Sequence, residues 1–187
     1  MRILDLGCGD TEVARRVFEG IGDIQYYGID LSSKALEIAR SNFEDYNWNV
    51  ELLEGDLTKL IQQLHGPFDL IIAGYSLHTL EHVAKSTSLN NIRLVLSPNR
   101  SLIIYDLLPR QREHQHEYKK RLIAEAMEDW SLLSPEHLSS FEQHLESSTH
   151  PIDEANWQLL AYESSLGKAE SIYRDPKELM TMLRFSQ

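Results

Sequence analysis

Apolar positions recur along residues 1–108 in two alternating rhythms. Short, nearly unbroken apolar runs occupy residues 3–6, 24–30, 50–53, 68–73 and 101–108. Such runs predict strands that are covered on both faces. Between them, apolar residues return every three or four positions, which predicts amphipathic helices. Val13, Ala14, Val17 and Phe18 keep helical spacing over 11–19, and Gly20 stops the pattern. Ser32 or Ser33 can cap a second helix that carries Leu36, Ala39 and Phe43 on one face. Residues 58–64 and 79–96 predict two more helices, and Ser97-Pro98-Asn99 a turn before the fifth strand. Five strands alternating with helices predict an α/β fold, an open parallel sheet with helices on both sides.

After Pro109 the rhythm changes. Residues 112–130 and 135–146 are long, polar and helical, with no strand between them. They predict a helical insertion over 110–148, which either packs on the sheet edge or closes over the strand ends as a lid. The lid is favoured, because the segment leaves the carboxyl end of the fifth strand and long insertions there are often functional. A helix follows over 154–164, with Gly167 as its terminator. Residues 170–174 and 179–185 predict two closing strands joined by a turn that starts at Asp175-Pro176.

Composition narrows the class. With 187 residues the chain reads as one domain over 1–187. Its 42% hydrophobic and 25% charged residues are those of an ordinary globular protein. Eighteen Lys and Arg against 29 Asp and Glu give a net charge of −11, a poor match to nucleic-acid phosphates. Cys8 is the single cysteine, so neither an internal disulfide nor a multi-cysteine zinc site can form. No apolar run approaches the ~18–20 residues of a membrane helix. The start, Met1-Arg2-Ile3-Leu4-Asp5, lacks a signal-peptide pattern, so a cytoplasmic location is expected.

Ligands of open α/β sheets sit outside the carboxyl ends of the strands, so those ends carry the candidate chemistry. The first strand ends in Asp5-Leu6-Gly7-Cys8-Gly9-Asp10-Thr11. Glycines at 7 and 9 permit a tight turn and a close ligand approach. A dinucleotide fingerprint would place a third glycine at 12, where Glu12 stands and would repel a pyrophosphate. The second strand ends in Asp30, whose carboxylate can accept both hydroxyls of a ribose or can cap the next helix. The third ends in Gly55-Asp56-Leu57, where the acid can accept from an adenine amino group or serve as a turn or cap residue.

These motifs resemble those of the class I S-adenosylmethionine-dependent methyltransferases. The resemblance rests on Asp5-Leu6-Gly7-Cys8-Gly9, on Gly28-Ile29-Asp30-Leu31-Ser32 and on Glu54-Gly55-Asp56-Leu57. Strands four (68–73) and five (101–106) complete it. It implies a Rossmann-like seven-stranded, mostly parallel sheet whose last strand is antiparallel. It implies S-adenosylmethionine as cofactor, with S-adenosylhomocysteine as product. By the same resemblance Gly7, Cys8 and Gly9 approach the methionine portion, Asp30 with Leu31 the ribose side, and Asp56 with Leu57 the adenine. Ala73 and Gly74 meet the methionine amino group through their backbone, and Asp5 supports the loop and that positive group. Carboxylates suit a cofactor that carries a sulfonium and an ammonium. Two departures stand out: Thr11 replaces a glycine frequent in the family, and the first strand begins almost at Met1, where members usually carry preceding helices.

The expected activity is methyl transfer to a small-molecule acceptor by in-line displacement, with no nucleic-acid or membrane partner and with a homodimer compatible. A cofactor-binding partner subunit without turnover is the alternative. Tyr75-Ser76-Leu77-His78 follows the fourth strand, where the family's substrate-side residues lie. His78 is the candidate general base, since imidazole titrates near neutral pH; its bland alternative is positioning or packing. The stretch 78–82 also spells His-x-x-Glu-His. On a helix, His78 and His82 would share a face and suit zinc, with Glu81 as base of a hydrolase. Its place after strand four of a nucleotide-binding sheet argues against that reading, and no metal is expected. His114 and His116, two apart, make a poor metal pair. Tyr118, Arg121, Trp130 and His150 could line a substrate pocket, although packing or surface is the commoner fate of such residues. Cys8 suits packing better than nucleophilic chemistry.

Overall fold

In the computed structural model, residues 1–129 and 134–186 are described. The chain runs β1 (Arg2–Leu6), α1 (Glu12–Val17), β2 (Gln25–Asp30), α2 (Ser33–Asn42), β3 (Asn49–Glu54) and α3 (Leu57–Leu60). It continues through β4 (Phe68–Gly74), α4 (His82–Val95), β5 (Leu96–Leu107), α5 (Gln115–Asp129), α6 (Pro135–Ser148), α7 (Glu154–Glu163), β6 (Lys168–Arg174) and β7 (Met180–Ser186). The seven strands form one sheet in the order β3-β2-β1-β4-β5-β7-β6. Strands β1 to β5 are parallel, and β7 is antiparallel to both β5 and β6. This is the seven-stranded architecture that the resemblance implies, closing strands included.

Both faces of the sheet are buried, which explains the unbroken apolar runs. On one face Leu4, Leu6, Ile71, Ile104, Leu183 and Phe185 pack with Leu89 and Ile92 of α4 and with Trp157 and Leu160 of α7. On the other, Ile3, Tyr26 and Ile72 meet Ala14, Phe18 and Phe43. Each fully buried Leu, Ile or Phe side chain contributes about 1.5–3 kcal/mol. A smaller cluster of Leu107, Tyr118, Leu122, Leu145 and Leu179 joins α5 and α6 to the end of β5 and the start of β7.

Three expected boundaries shift for identifiable reasons. The fourth helix begins at His82, not at residue 79: residues Leu77–Thr79 form a 3-10 turn, and Leu80 and Glu81 are extended. The expected turn at 97–99 lies inside β5 as a bulge, since Phe68 pairs with Leu96 and Leu70 already pairs with Ser101. The short helix after β3 ends at Leu60 and gives way to a 3-10 turn over Ile61–Gln63.

The order of strands reverses between β1 and β4, so their carboxyl ends border a crevice. The loops after β1, β2, β3 and β4 all open onto it. No helix among the described residues is long and apolar enough to cross a membrane.

Leu183 is fully buried on β7, whereas Leu94 on α4 is 82% exposed. Leu183→Ala is expected to cost about 2–5 kcal/mol in urea unfolding, and Leu94→Ala to stay within about 0.5 kcal/mol.

Candidate active site

The loop after β1 turns on two left-handed glycines, Gly7 (φ 77°) and Gly9 (φ 55°). The amides of Gly7 and Cys8 donate to the Ile29 carbonyl at 2.8 and 3.0 Å, which ties the loop to β2. A side chain at Gly7 would run into Ser76, whose hydroxyl donates to the Leu6 carbonyl at 2.7 Å. The loops after β1 and β4 therefore touch directly. Thr11 takes the left-handed backbone too (φ 63°), where a glycine would carry no strain. Glu12 turns back along α1 and pairs with Arg15 and Arg16 at 2.8 and 2.6 Å.

Asp30 accepts the Gly9 amide on Oδ2 at 2.8 Å and the Ser32 amide on Oδ1 at 2.9 Å. Each of its oxygens keeps a further lone pair for a ligand. Asp56 caps α3: its Oδ1 accepts from the Thr58 amide and hydroxyl at 2.9 and 2.7 Å. Its Oδ2 faces outward, 3.9 Å from Lys59 Nζ. The Thr58 hydroxyl is the main reason its carboxyl titrates below the usual range. Gly7, Asp30, Leu31, Asp56, Leu57 and Tyr75 are among the residues that line a cleft of about 240 Å³ at this edge. Leu31 is 74% exposed beside it. Among the described residues no lysine or arginine lines the cleft itself.

Asp5 lies on the opposite side of the sheet, 7% exposed, and accepts the Tyr26 hydroxyl at 2.6 Å. Burial lifts its carboxyl to about 6, the Tyr26 bond pulls the other way, and Asp30 adds to the rise. Burial, with Asp5 and Asp30, also pushes the Cys8 thiol up. A thiol so placed stays protonated and unreactive. Cys8 packs against Gly28, where a side chain would meet its sulfur.

Beyond Tyr75 the wall changes. His78 and Asp106 form a buried pair, with side chains 8% and 1% exposed. His78 Nδ1 lies 2.6 Å from Asp106 Oδ1. The same carboxylate accepts the His78 amide on Oδ2 and the Leu107 amide on Oδ1, each at 2.8 Å. With two amide donors on it already, the carboxylate takes the His78 Nδ1–H as a third, and in the neutral ring Nε2 is then the nitrogen with the lone pair. His78 lines a second cavity of about 370 Å³ together with Tyr75, Leu122, Ala126, Leu145 and Met180. Among the described residues, Tyr75 is the one that both cavities share.

The model of the methyltransferase-domain family matches residues 3–99. The chain belongs to the class I methyltransferase family. Among curated methyltransferases, calH of Penicillium decumbens is 32% identical over 119 residues, 58% of this chain and 32% of that protein. The indolepyruvate C-methyltransferase of Streptomyces griseus is 31% identical over 128 residues, 62% of this chain and 36% of that protein. The chain thus spans about a third of the length of these relatives. Among solved structures, the mitomycin 7-O-methyltransferase MmcR covers the whole chain at a TM-score of 0.70 and 14% identity, over 49% of its own length. The CMeT domain of the citrinin polyketide synthase does so at 0.71 and 17%, over 46%. At these identities the likeness is one of fold.

Within this methyltransferase fold, the expected cofactor residues fall into two groups. Gly7, Asp30, Leu31, Asp56 and Leu57 come together around the smaller cleft. Cys8 and Gly9 sit in the loop beneath it, and Asp5 stands behind the loop. Ala73 is wholly buried in the core, and the open side of Gly74 is covered by the Tyr105 ring. The helical premise of the zinc reading is not met, because an extended step at Leu80 and Glu81 separates His78 from His82. Among the described residues no group of three or more His, Cys, Asp or Glu could hold a metal. His114 and His116 are exposed. Tyr118 is fully buried and donates to the Leu179 carbonyl at 2.7 Å, and Arg121 pairs with Glu113. Both are framework of the insertion. His150 meets the His78 segment through its backbone, its amide donating to the His78 carbonyl at 2.6 Å. Trp130 lies outside the described residues.

Sequence reasoning missed Asp106 as a partner of His78. Its signal was present: a carboxylate at the carboxyl end of the fifth strand, where ligands of such sheets gather. It also missed Lys85, wholly buried on α4, whose ammonium donates to the Leu80 carbonyl and, at 2.8 Å, to that of His150.

The raised Asp5 carboxyl has a consequence for stability. An unfolded aspartate titrates near 3.8 and the folded one near 6, so the folded state binds the extra proton between them. Stability is expected to fall as pH rises from about 4 to about 6, by about 1.4 kcal/mol for each unit of difference. Asp5→Asn is expected to flatten that slope in denaturant melts across this pH range.

Proposed function

We propose that this domain transfers a methyl group from S-adenosylmethionine to a small-molecule acceptor, with His78 as general base and Asp106 as the residue that orients it. One observation carries the reading: an acid-lined cleft and an apolar cavity meet at Tyr75, and the His78–Asp106 pair opens onto the apolar side. The smaller cleft fits the cofactor by the chemistry of its donors. Two carboxylates with spare lone pairs suit ribose hydroxyls and an adenine amino group, and Leu31 and Leu57 offer apolar contact for a ring. Two lining carboxylates outweigh Lys59, whose Nζ stands 3.9 Å from Asp56 Oδ2, so the cleft fits a ligand that carries positive charge and fits a pyrophosphate badly. In this reading Gly7, Cys8 and Gly9 approach the methionine portion, backed by Asp5, with Ala73 and Gly74 at the facing strand end. Asp30 holds the ribose, and Asp56 with Leu57 the adenine.

When bound, the cofactor supplies a methyl group made electrophilic by a sulfonium. The protein's part is then to hold the acceptor in line and to take its proton. Alignment supplies much of the acceleration in such displacements. The Nε2 lone pair of His78 receives the proton, and the Asp106 carboxylate steadies the imidazolium that forms. The helices of the 110–148 insertion wall the acceptor cavity, and we assign the covering role to α6. Helix α5 is bonded to the β6–β7 connection: Tyr118 reaches the Leu179 carbonyl, Arg121 the Lys177 and Glu178 carbonyls, and Glu125 pairs with Lys177. Helix α6 contributes Phe141, His144 and Leu145 to the cavity from the other side.

Two variants separate the two halves of the site. Asp30→Ala is expected to weaken S-adenosylhomocysteine binding by about 1.5–3 kcal/mol in calorimetry, the usual cost of losing a charged hydrogen-bond partner. Unchanged affinity would remove the ribose assignment. Asp106→Asn is expected to leave that affinity in place and to lower turnover roughly 10²–10⁴-fold, the usual size of a general-base contribution. Full turnover in that variant would remove His78 from proton transfer.

A further inference from the structure

One charge in the core stands outside the chemistry described so far. Helix α4 turns Leu89, Ile92 and Val95 inward, and Lys85 lies on the same stripe, one turn before Leu89. Helical spacing calls for an apolar side chain there. Lys85 is wholly buried, so its ammonium has lost its water. It also lies in the first turn of α4, where the helix dipole disfavours a cation. Its hydrogen bonds go to carbonyls and not to a carboxylate: that of Leu80 and, at 2.8 Å, that of His150. The Asp106 charge favours the ammonium against the pull of burial.

Those two carbonyls belong to the segments that hold His78. Leu80 closes the 3-10 turn Leu77–Thr79, its amide donating to the Leu77 carbonyl at 3.1 Å. His150 follows α6, and its amide donates to the His78 carbonyl at 2.6 Å. One ammonium thus clamps the His78 turn to the end of the insertion. It also completes a balance of charge. Asp106 is negative and Lys85 positive, and both are buried, so a neutral His78 imidazole leaves the group without net charge. With Lys85 removed, the Asp106 charge would stand alone, and the imidazole beside it would draw a proton to match it. We infer that Lys85 is a positioning residue of this site, a buried counter-cation that fixes the His78 turn and keeps the resting His78 Nε2 free of a proton. The consequence for turnover rests on the base role proposed for His78, whereas the balance of charge is present without substrate.

Nuclear magnetic resonance of the His78 ring tests this in the full chain without added ligand, the signal being assigned by its loss in His78→Gln. Lys85→Met removes the charge and the donors, Lys85→Gln removes the charge and keeps a donor, and Lys85→Arg keeps both. The titration midpoint of the ring is expected to move up by about one pH unit in the Met and Gln variants and to stay within about 0.3 unit in the Arg variant. Either neutral variant suffices where the other does not fold. The other ionisable side chains that line the cavity beside His78, namely Tyr75, Glu125, His144, Asp175 and Lys177, are the same in every variant, so the difference reports Lys85. The His150 amide is expected to exchange with deuterium about ten-fold faster in Lys85→Met and at the natural rate in Lys85→Arg. A midpoint that does not move in the neutral variants would overturn the inference. So would an equal shift in Lys85→Arg, which would mark a packing effect. If the midpoint moves while Asp106→Asn keeps full turnover, the base role of His78 fails and this inference stands. If Asp106→Asn loses turnover while the midpoint stays, this inference alone fails.

Discussion

A carboxylate withdrawn from water is tolerable only where donors replace the water it lost. Asp106 meets that condition with three N–H groups: the His78 ring, the His78 amide and the Leu107 amide. The donors belong to the ends of β4 and β5, so one buried anion joins the two strand ends at which the cavity beside His78 begins. It also fixes Nδ1 as the ring nitrogen that faces the carboxylate. The surrounding backbone is bound into the same arrangement. His150 donates to the His78 carbonyl, and Lys85 reaches the carbonyls of Leu80 and His150. Burial draws the Lys85 ammonium down to about 8, and the Asp106 charge acts against that pull. An ammonium buried there serves two carbonyl groups that no helix or strand would otherwise satisfy.

The strand ends thus hold two environments of opposite character. On the side of β1, β2 and β3, carboxylates stand at an open cleft with lone pairs to spare. On the side of β5 and β7, the charges are paired with one another and the wall is apolar. Tyr75 divides them. Its backbone is left-handed (φ 47°), which costs a non-glycine residue about 1–3 kcal/mol. The amide bond to the Tyr105 carbonyl at 2.9 Å and an edge-on packing against the Tyr105 ring at 5.4 Å hold it there. Its phenol rests against Met180, and burial keeps that phenol protonated. Gly74, the residue before it, admits the Tyr105 ring only because it has no side chain.

The parts of this arrangement that were legible in the sequence are those with local causes. Strands buried on both faces leave unbroken apolar runs, so β1, β2, β4 and β5 were visible at once. The Asp5-Leu6-Gly7-Cys8-Gly9 turn and the two acids after it sit at strand ends, where the strand pattern and the family resemblance together located them. For Asp56 the structure shows the capping character, since one oxygen caps α3 while the other stands 3.9 Å from Lys59 Nζ. Less visible were the features made by distant segments meeting. The His78–Asp106 bond spans 28 residues, and in the sequence Asp106 belonged to an apolar strand. The helix expected from residue 79 starts at His82, because the chain turns through an extended step to bring His78 to Asp106. Helical spacing cannot register such a tertiary demand. The helical spacing of 78–82 suggested a metal pair for the same reason, since a local pattern holds only while the local structure is regular.

The insertion shows the same division between local and tertiary causes. Its two helices were legible from polarity and period, but their unequal attachment was not. Helix α5 buries Tyr118 and Leu122, and its Tyr118 and Arg121 bond to backbone carbonyls of the β6–β7 connection. Helix α6 buries Leu145 alone along its length and presents most of its residues to solvent. Fewer buried apolar contacts mean a lower free energy of local opening. An element that must admit an acceptor and then exclude water is drawn from that end of the range. A firmly bonded α5 and a lightly held α6 are thus held unequally, and that difference is what the proposed covering role of α6 requires.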